Sequence, residues 1–386
     1  MIYLDHFSAT PIDPRVSEAM LPYWNQWAWN PGSPHTAGRR VRDAVEKARV
    51  QVASLIGARP GEIHFVSSAT EANNWALYGL PRGLRNKGKH LAISSTESKA
   101  VLYSAHRLEE DEHYRLSLVE VSAEGLLDLS SLRECLCEES VVVSVAHASA
   151  ELGALQPLPE IAEAAHGKGA RLHVDCTATA GRVLTQVKDL GADTAVIASD
   201  QIYGPSGAAA LYVRRGVRIR PLLVGGTQES GFRAGVEAVP NIVGFGAAAE
   251  LAAAELGRRQ KHLTELSTLL RQSLKQDIPG LRFLVPQEHC VPGLIAFTLA
   301  GLEAEAVVLG LDEFGIAATM GSACNAMALK PSHVLSALGL SEAEAKATLL
   351  FGLGKDTRPE EIQNVVENLG RVVERLRALS TVEEEI

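Results

Sequence analysis

Cysteine is scarce in this chain: Cys135, Cys137, Cys176, Cys290 and Cys324 are the only five in 386 residues, and no two are spaced Cys-x-x-Cys. An odd number without metal-ligand spacing excludes a disulfide framework and a self-contained structural zinc site. Long apolar runs are missing too. Nothing approaches the ~20 residues a membrane-spanning helix needs, and the first residues, Met1 to His6, lack the basic and apolar regions of a signal peptide, so a cytoplasmic location without membrane contact is expected. Basic residues, 37 against 46 acidic ones, form no clusters with interleaved aromatics, and the net charge is -9. Nucleic acid is therefore not expected as a direct partner. Repeats and low-complexity tracts are also lacking.

What is present is an ordinary globular composition, with 46% hydrophobic residues and enough length for two domains with their own cores. Short apolar, β-branched runs predict strands at 63–66, 91–94, 141–146, 171–174 and 195–198, alternating with helical patterns such as 71–78 and 158–167. That alternation is the signal of an α/β fold with a mostly parallel, doubly wound sheet. Ligands of such sheets gather at the carboxyl ends of the strands, where 67–70, 147–150, Asp175 and 199–204 would converge. Residues 209–213 form a strand turning back beside its predecessor. An alanine-rich helix follows over 239–278, with a break allowed within it. A strand (293–299), a helix (303–314), a strand and loop (317–323), a strand (348–352) and an amphipathic helix (359–378) then predict a smaller α+β domain. The expected division is a large domain over 16–250 and a small one made of 1–15 with 251–386. Cys135 and Cys137, two apart on a helix-like stretch, would point to different faces as small packing residues.

Ordered motifs run through nearly the whole chain. They include Tyr3-Leu4-Asp5, Asn30-Pro31-Gly32-Ser33, Ser67-Ser68-Ala69-Thr70-Glu71-Ala72-Asn73-Asn74, Thr96-Glu97-Ser98-Lys99-Ala100-Val101, Ile202-Tyr203-Gly204-Pro205, Gly225-Gly226-Thr227-Gln228-Glu229, Gly321-Ser322-Ala323-Cys324 and Pro331-Ser332-His333. Together they resemble the NifS/IscS branch of cysteine desulfurases, in the class V aminotransferase superfamily of fold type I pyridoxal-phosphate enzymes. The resemblance implies a mostly parallel, seven-stranded sheet flanked by helices, a homodimer, and a cofactor crevice that can be audited position by position.

Two supports of that crevice are kept. Asp175 matches the carboxylate that pairs with the pyridine nitrogen, and Thr70 matches a phosphate-binding hydroxyl at a helix start; alternatively Asp175 caps a turn and Thr70 is an N-cap. Seven positions depart from the pattern. Gln201 stands where the family has its cofactor-binding lysine, and a carboxamide nitrogen forms no imine. Ser98 replaces the stacking histidine, Ala150 an asparagine, Ala178 a glutamine, Asp200 a histidine, Val236 a Ser/Thr that reaches the partner's phosphate, and Leu350 the arginine that clamps the substrate carboxylate. No lysine lies between Lys188 and Lys261 to stand in.

From these departures the expectation is that pyridoxal phosphate is not bound covalently. Cys324 would then serve as a persulfide carrier, or as a ligand to a 2Fe–2S cluster shared with an IscU-type scaffold. The alternatives are a residual desulfurase that converts L-cysteine to L-alanine and enzyme persulfide, a persulfide transferase, or a regulator that binds another ligand in the old pocket. Helix 359–378, with Ile362, Val365, Leu369, Val372 and Leu376 at helical spacing, reads first as core packing and second as docking surface.

Overall fold

The computed structural model describes residues 1–320 and 332–383. Strand β1 (Ile2–Tyr3) leads to helix α1 (Pro14–Asn25), whose first turn is capped by the Asp13 carboxylate, and to α2 (Thr36–Leu55), capped by His35. Then comes the alternation expected from the apolar runs: β2 (Ile63–Val66), α3 (Ala69–Gly83), β3 (His90–Ser94), α4 (Lys99–Glu112), β4 (Arg115–Val119), α5 (Leu129–Cys135), β5 (Ser140–Ala146), α6 (Leu158–Gly167), β6 (Arg171–Asp175), β7 (Thr194–Ala198) and β8 (Ala209–Val213). The seven strands among them form one sheet in the order β2-β8-β7-β6-β5-β3-β4. The β7-β6-β5-β3-β4 part is parallel, and β8 pairs antiparallel with both neighbours, β7 and β2.

Helix α7 (Val239–Asp277) is one continuous helix of 39 residues with no break. After it come β9 (Leu281–Phe283), β10 (Leu294–Leu299), α8 (Ala304–Asp312), β11 (Ile316–Ala317), β12 (Thr319–Met320), α9 (His333–Ala337), α10 (Glu342–Lys346), β13 (Thr348–Gly352) and α11 (Pro359–Glu383). An antiparallel sheet in the order β12-β13-β10-β9 forms here, and β1 pairs with β11, so the amino-terminal strand packs beside this second sheet. Ile362, Val365, Leu369 and Val372 of α11 are buried against Phe297, Phe351 and Leu270, so the stripe is core. Burying each such side chain contributes on the order of 1.5–3 kcal/mol.

Two sequence expectations change. Strand β4 was not visible because it is a half-exposed edge strand, RLSLV, with polar residues facing out. Cys137 does not lie on a helix: α5 ends at Cys135, and Leu136 turns extended at φ -71°, ψ 133°.

Candidate active site

The parallel strands deliver their carboxyl ends to one crevice. Asp175 is the last residue of β6 and is 6% exposed. Its Oδ2 accepts a 2.8 Å hydrogen bond from Asn73 Nδ2 on α3, and its Oδ1 accepts from the backbone N–H and hydroxyl of Thr177 at 2.9 and 2.6 Å. Behind Asn73, its Oδ1 lies 2.9 Å from His173 Nε2, while His173 Nδ1 lies 2.9 Å from Thr194 Oγ1. Burial pushes His173 down to about 3, so the ring is neutral. A neutral ring carries one proton; Nε2–H donating to Asn73 and Thr194 donating to Nδ1 satisfy every member. The carboxylate is thus a turn cap and a supported, inward-facing acceptor at once.

A second carboxyl lies close to it. Glu97 is fully buried and is pushed up to about 8, by burial first and by the charge of Asp175 second. Its Oε1 accepts from Ser144 Oγ at 2.6 Å and its Oε2 from Ser98 N at 3.1 Å. Near neutral pH this group is largely protonated. Glu97 carried no role in the sequence reading, although it lies inside a quoted motif; an acidic residue between a strand and a helix start was the available signal.

The phosphate end is built by helix starts. Ser68, not Thr70, is the N-cap of α3, its hydroxyl accepting from Glu71 N, and Thr70 is exposed in the first turn. Thr70 therefore keeps its hydroxyl at a helix N-terminus, where anions are favoured. Ser98 is exposed at the start of α4 and makes no side-chain cap bond. Ser199, at the end of β7, has a buried Oγ with no protein partner among the described residues.

Gln201 follows in the turn after β7. Its Nε2 donates to Ser8 O at 3.1 Å and its Oε1 lies 3.5 Å from the Arg182 guanidinium. Arg182 is buried, donates to His6 O at 2.7 Å, and is pushed down to about 10 by burial. Nothing in the sequence marked Arg182, because its neighbours come from residues 6–8 and 201. Asp200 fixes the same turn through its backbone, accepting from Thr10 N and Thr10 Oγ1, and burial raises its carboxyl. Ala178 is packed in a core cluster with Phe7 and Leu350.

Ala150 and Leu350 line a cleft of about 280 Å³ with Glu151, Thr319, Met320, Ser8 and Asp5. The described residues that flank 321–331 are tied there. β12 pairs with Leu349 and Leu350 of β13, while Ser332 donates to Glu151 Oε2 and His333 Nε2 lies 2.8 Å from Glu97 O. Cys324 itself lies outside the described residues. Val236 does not line this cleft; it is 68% exposed, on a loop held by the Arg49–Glu229 pair, and borders a small pocket with Ser67 and Arg233 next to the start of α3, while Val224 is 85% exposed. In the same loop Glu229 and Ser230 take left-handed backbone angles, φ 49° and 57°.

Two of these donors fit the ring and phosphate ends of pyridoxal phosphate: a carboxylate for a ring N–H, and a helix start with an exposed hydroxyl; the Ser199 hydroxyl lies beside Gly204, on the side of that glycine that faces Ala248 of α7. Residue 201 contributes an amide and its hydrogen bonds.

The family model described as Aminotransferase class-V matches residues 2–365. The chain is 41% identical to the "Cysteine desulfurase IscS 1" of Archaeoglobus fulgidus, over 98% of this chain and 99% of that protein. It is 37% identical to the "Cysteine desulfurase IscS" of Dictyoglomus turgidum, over 100% and 97%. A solved structure of a NifS-like protein superposes with a TM-score of 0.91 at 29% identity, covering 97% of this chain and all of that one. These full-length similarities correct the expectation of a site without its cofactor: the relatives are cysteine desulfurases, of a family whose cofactor is pyridoxal phosphate.

Proposed function

Because this chain belongs to the class V aminotransferase family, in its cysteine desulfurase branch, we propose that it mobilises sulfur from L-cysteine for iron–sulfur cluster assembly. The net reaction is L-cysteine plus the Cys324 thiol giving L-alanine plus the Cys324 persulfide: one C–S bond is broken, one S–S bond is formed. The observation that carries this reading is that the residues on either side of 321–331 meet the cleft, Thr319 and Met320 of β12 through β13, and Ser332 and His333 through Glu151 and Glu97.

In this reading Asp175 would accept a hydrogen bond from the ring nitrogen of pyridoxal phosphate, Asn73 and Thr177 hold that carboxylate in place, and Thr70 would meet the phosphate. When bound, the cofactor supplies an electron sink for the bond changes at the cysteine carbons. Gln201 ties its turn to Ser8, and neutral Glu97 keeps a second negative charge away from Asp175. The small side chain of Ala150 and the apolar Leu350 leave room for the cysteine side chain. The exposed Val224 and Val236 suit a face covered by a second copy of the chain, and the persulfide is passed to an IscU-type scaffold. The large unit over 16–250 carries the crevice, and 1–15 with 251–386 carries the Cys324 segment.

A second reading, a persulfide carrier fed by another sulfur donor, is favoured by the amide at 201 and by Leu350 where a carboxylate clamp would need a cation. Sulfide release from L-cysteine with pyridoxal phosphate and a reductant separates the two. The desulfurase reading expects release that is lost in Cys324→Ala; release no greater than that of buffer with cofactor would leave only the carrier.

A further inference from the structure

The sheet has a second chemically loaded edge, opposite the crevice. The register pairs His90 of β3 with Arg115 of β4 on one side and with Ser140 of β5 on the other, so the first residues of three parallel strands stand side by side. Strands of this length place that edge roughly 15 Å from the carboxyl ends. Cys137 sits just before β5 in a tight turn, in which Ser140 N donates to Cys137 O at 3.0 Å and Cys137 N donates to Ser140 Oγ at 2.9 Å. Gly88 lets the preceding turn seat against this one; any Cβ there would run into the Glu139 backbone.

Around the sulfur the groups are of one kind. A guanidinium nitrogen of Arg115 lies 3.0 Å from Cys137 Sγ, Ser140 Oγ lies at 3.7 Å and His90 Nδ1 at 3.9 Å. His90 is fully buried and is pushed down to about 4, by burial first and then by Arg115 and Lys87. Being neutral, its Nδ1–H can donate to Ser140 Oγ at 2.7 Å while Ser117 donates to Nε2 at 2.9 Å. The Ser140 proton is then free to point at the sulfur. Burial alone would raise the thiol, but the Ser140 hydroxyl, the Glu139 backbone and Arg115 together bring it below the usual range. Cys135, Cys176 and Cys290 are all raised, chiefly by burial.

Cys137 is half-buried and Arg115 is exposed, so the thiol can be reached. Lys87 also faces it, its Nζ held by the carbonyls of Ser140 and Lys168. Of the acids nearby, Glu138 is paired with Lys168 and Glu139 lies in the turn itself, whereas Arg115 makes no ion pair with a carboxylate among the described residues. The cationic side of the sulfur is therefore open to an anion.

We propose that Cys137 is a second thiol site, independent of the 321–331 segment, which takes up small anionic disulfides by thiol–disulfide exchange. The thiolate attacks one sulfur of RS–SR, forming Cys137–S–S–R and breaking the original S–S bond; RS⁻ leaves with the electron pair. The disulfide is reduced at the departing sulfur as Cys137 is oxidised, and no other oxidant is needed. Arg115 meets the anionic group of R, and Cys135, whose Sγ donates back to Leu132 O, stays out of the exchange.

The test treats the full-length chain with limiting dithiobis-nitrobenzoate, a dianionic disulfide, and separately with cystamine, a dicationic one, across a pH series, and maps the modified cysteine by peptide mass spectrometry. Cys137 is expected to react at least about tenfold faster than Cys135, Cys176 and Cys290, and to prefer the dianionic reagent. In Arg115→Gln, an exposed edge change, the rate midpoint should move up by about one pH unit and the preference should vanish. Modification of Cys137 no faster than of Cys135, or a midpoint and preference unchanged in Arg115→Gln, would overturn the proposal.

Discussion

Asn73 and Asp175, 102 residues apart in the chain, are joined by a 2.8 Å hydrogen bond that locks α3 to the end of β6. The pair is the centre of a buried chain from Thr194 through His173 and Asn73 to the carboxylate, and the carboxylate's orientation depends on every link.

Asn73→Ala removes a buried donor and a buried acceptor together, leaving His173 Nε2–H and Asp175 Oδ2 each short of a partner. The expected cost is about 1–3 kcal/mol in urea unfolding, with pyridoxal phosphate bound about tenfold more weakly, equivalent to about 1.4 kcal/mol. Asn73→Asp should be worse on both counts, because it adds a third carboxyl beside Asp175 and Glu97. Equilibrium unfolding and a fluorescence titration with the cofactor read the two effects.

Glu97 predicts the pH dependence of stability. Its folded value, about 8, is above that of an exposed glutamate, so the native state holds a proton the unfolded chain gives up. The contribution is fully present below the unfolded value, about 4.3, and is lost as pH rises through about 8. Glu97→Gln keeps the neutral shape without the titration. Its unfolding free energy in urea should match the native chain's in acid and exceed it increasingly as pH rises through about 8, by a difference on the order of a few kcal/mol.

Much of this fold was legible because fully buried strands, parallel or antiparallel, read as apolar runs. Residues 63–66 and 209–213 coincide with β2 and β8, and β3, β5, β6, β7 and β10 came out within a residue. The half-exposed β4 was not legible, and neither was the end of α5, where Leu136 turns extended after a sequence that reads as helix. For the site, the strand-end rule brought Asp175, Ala150 and Gln201 to one side of the sheet. It could not show that Arg182 lies under Gln201, that Glu97 senses Asp175, or that Cys137 meets Arg115, since each contact joins segments that only the sheet order makes neighbours. Reading cofactor loss from Gln201 and the six other departures gave single positions more weight than the full-length likeness to desulfurases of a pyridoxal-phosphate family.

Arg49 and Glu229 test the loop that presents Val236. Glu229 accepts from both Arg49 guanidinium nitrogens, at 2.7 and 2.9 Å, and from Phe65 N at 2.9 Å. Arg49 keeps Glu46 and the Ile63 carbonyl as partners, but the buried Phe65 N–H loses its acceptor, so Glu229→Ala should cost about 1–3 kcal/mol by denaturant unfolding. Replacing Val236 with a lysine should spare monomer stability and shift the sedimentation profile towards monomer.

Gln201→Lys places an amine 19 residues from Arg182 in sequence and close to its guanidinium in space. Burial and that like charge lower the amine's pKa, which favours the nucleophilic neutral form. The variant should gain a visible absorbance band with pyridoxal phosphate beyond that of the native chain, and form alanine at least about tenfold faster, a barrier about 1.4 kcal/mol lower.

The most direct measurement follows both products of sulfur mobilisation in the native chain. The protein is incubated with L-cysteine and pyridoxal phosphate without reductant, alanine is quantified, and the peptide containing Cys324 is weighed by mass spectrometry. Sulfur transfer from L-cysteine predicts one alanine for each sulfur atom added to Cys324, with neither formed in Asp175→Ala. Alanine no higher than in buffer with cofactor, together with an unmodified Cys324 peptide, would contradict it.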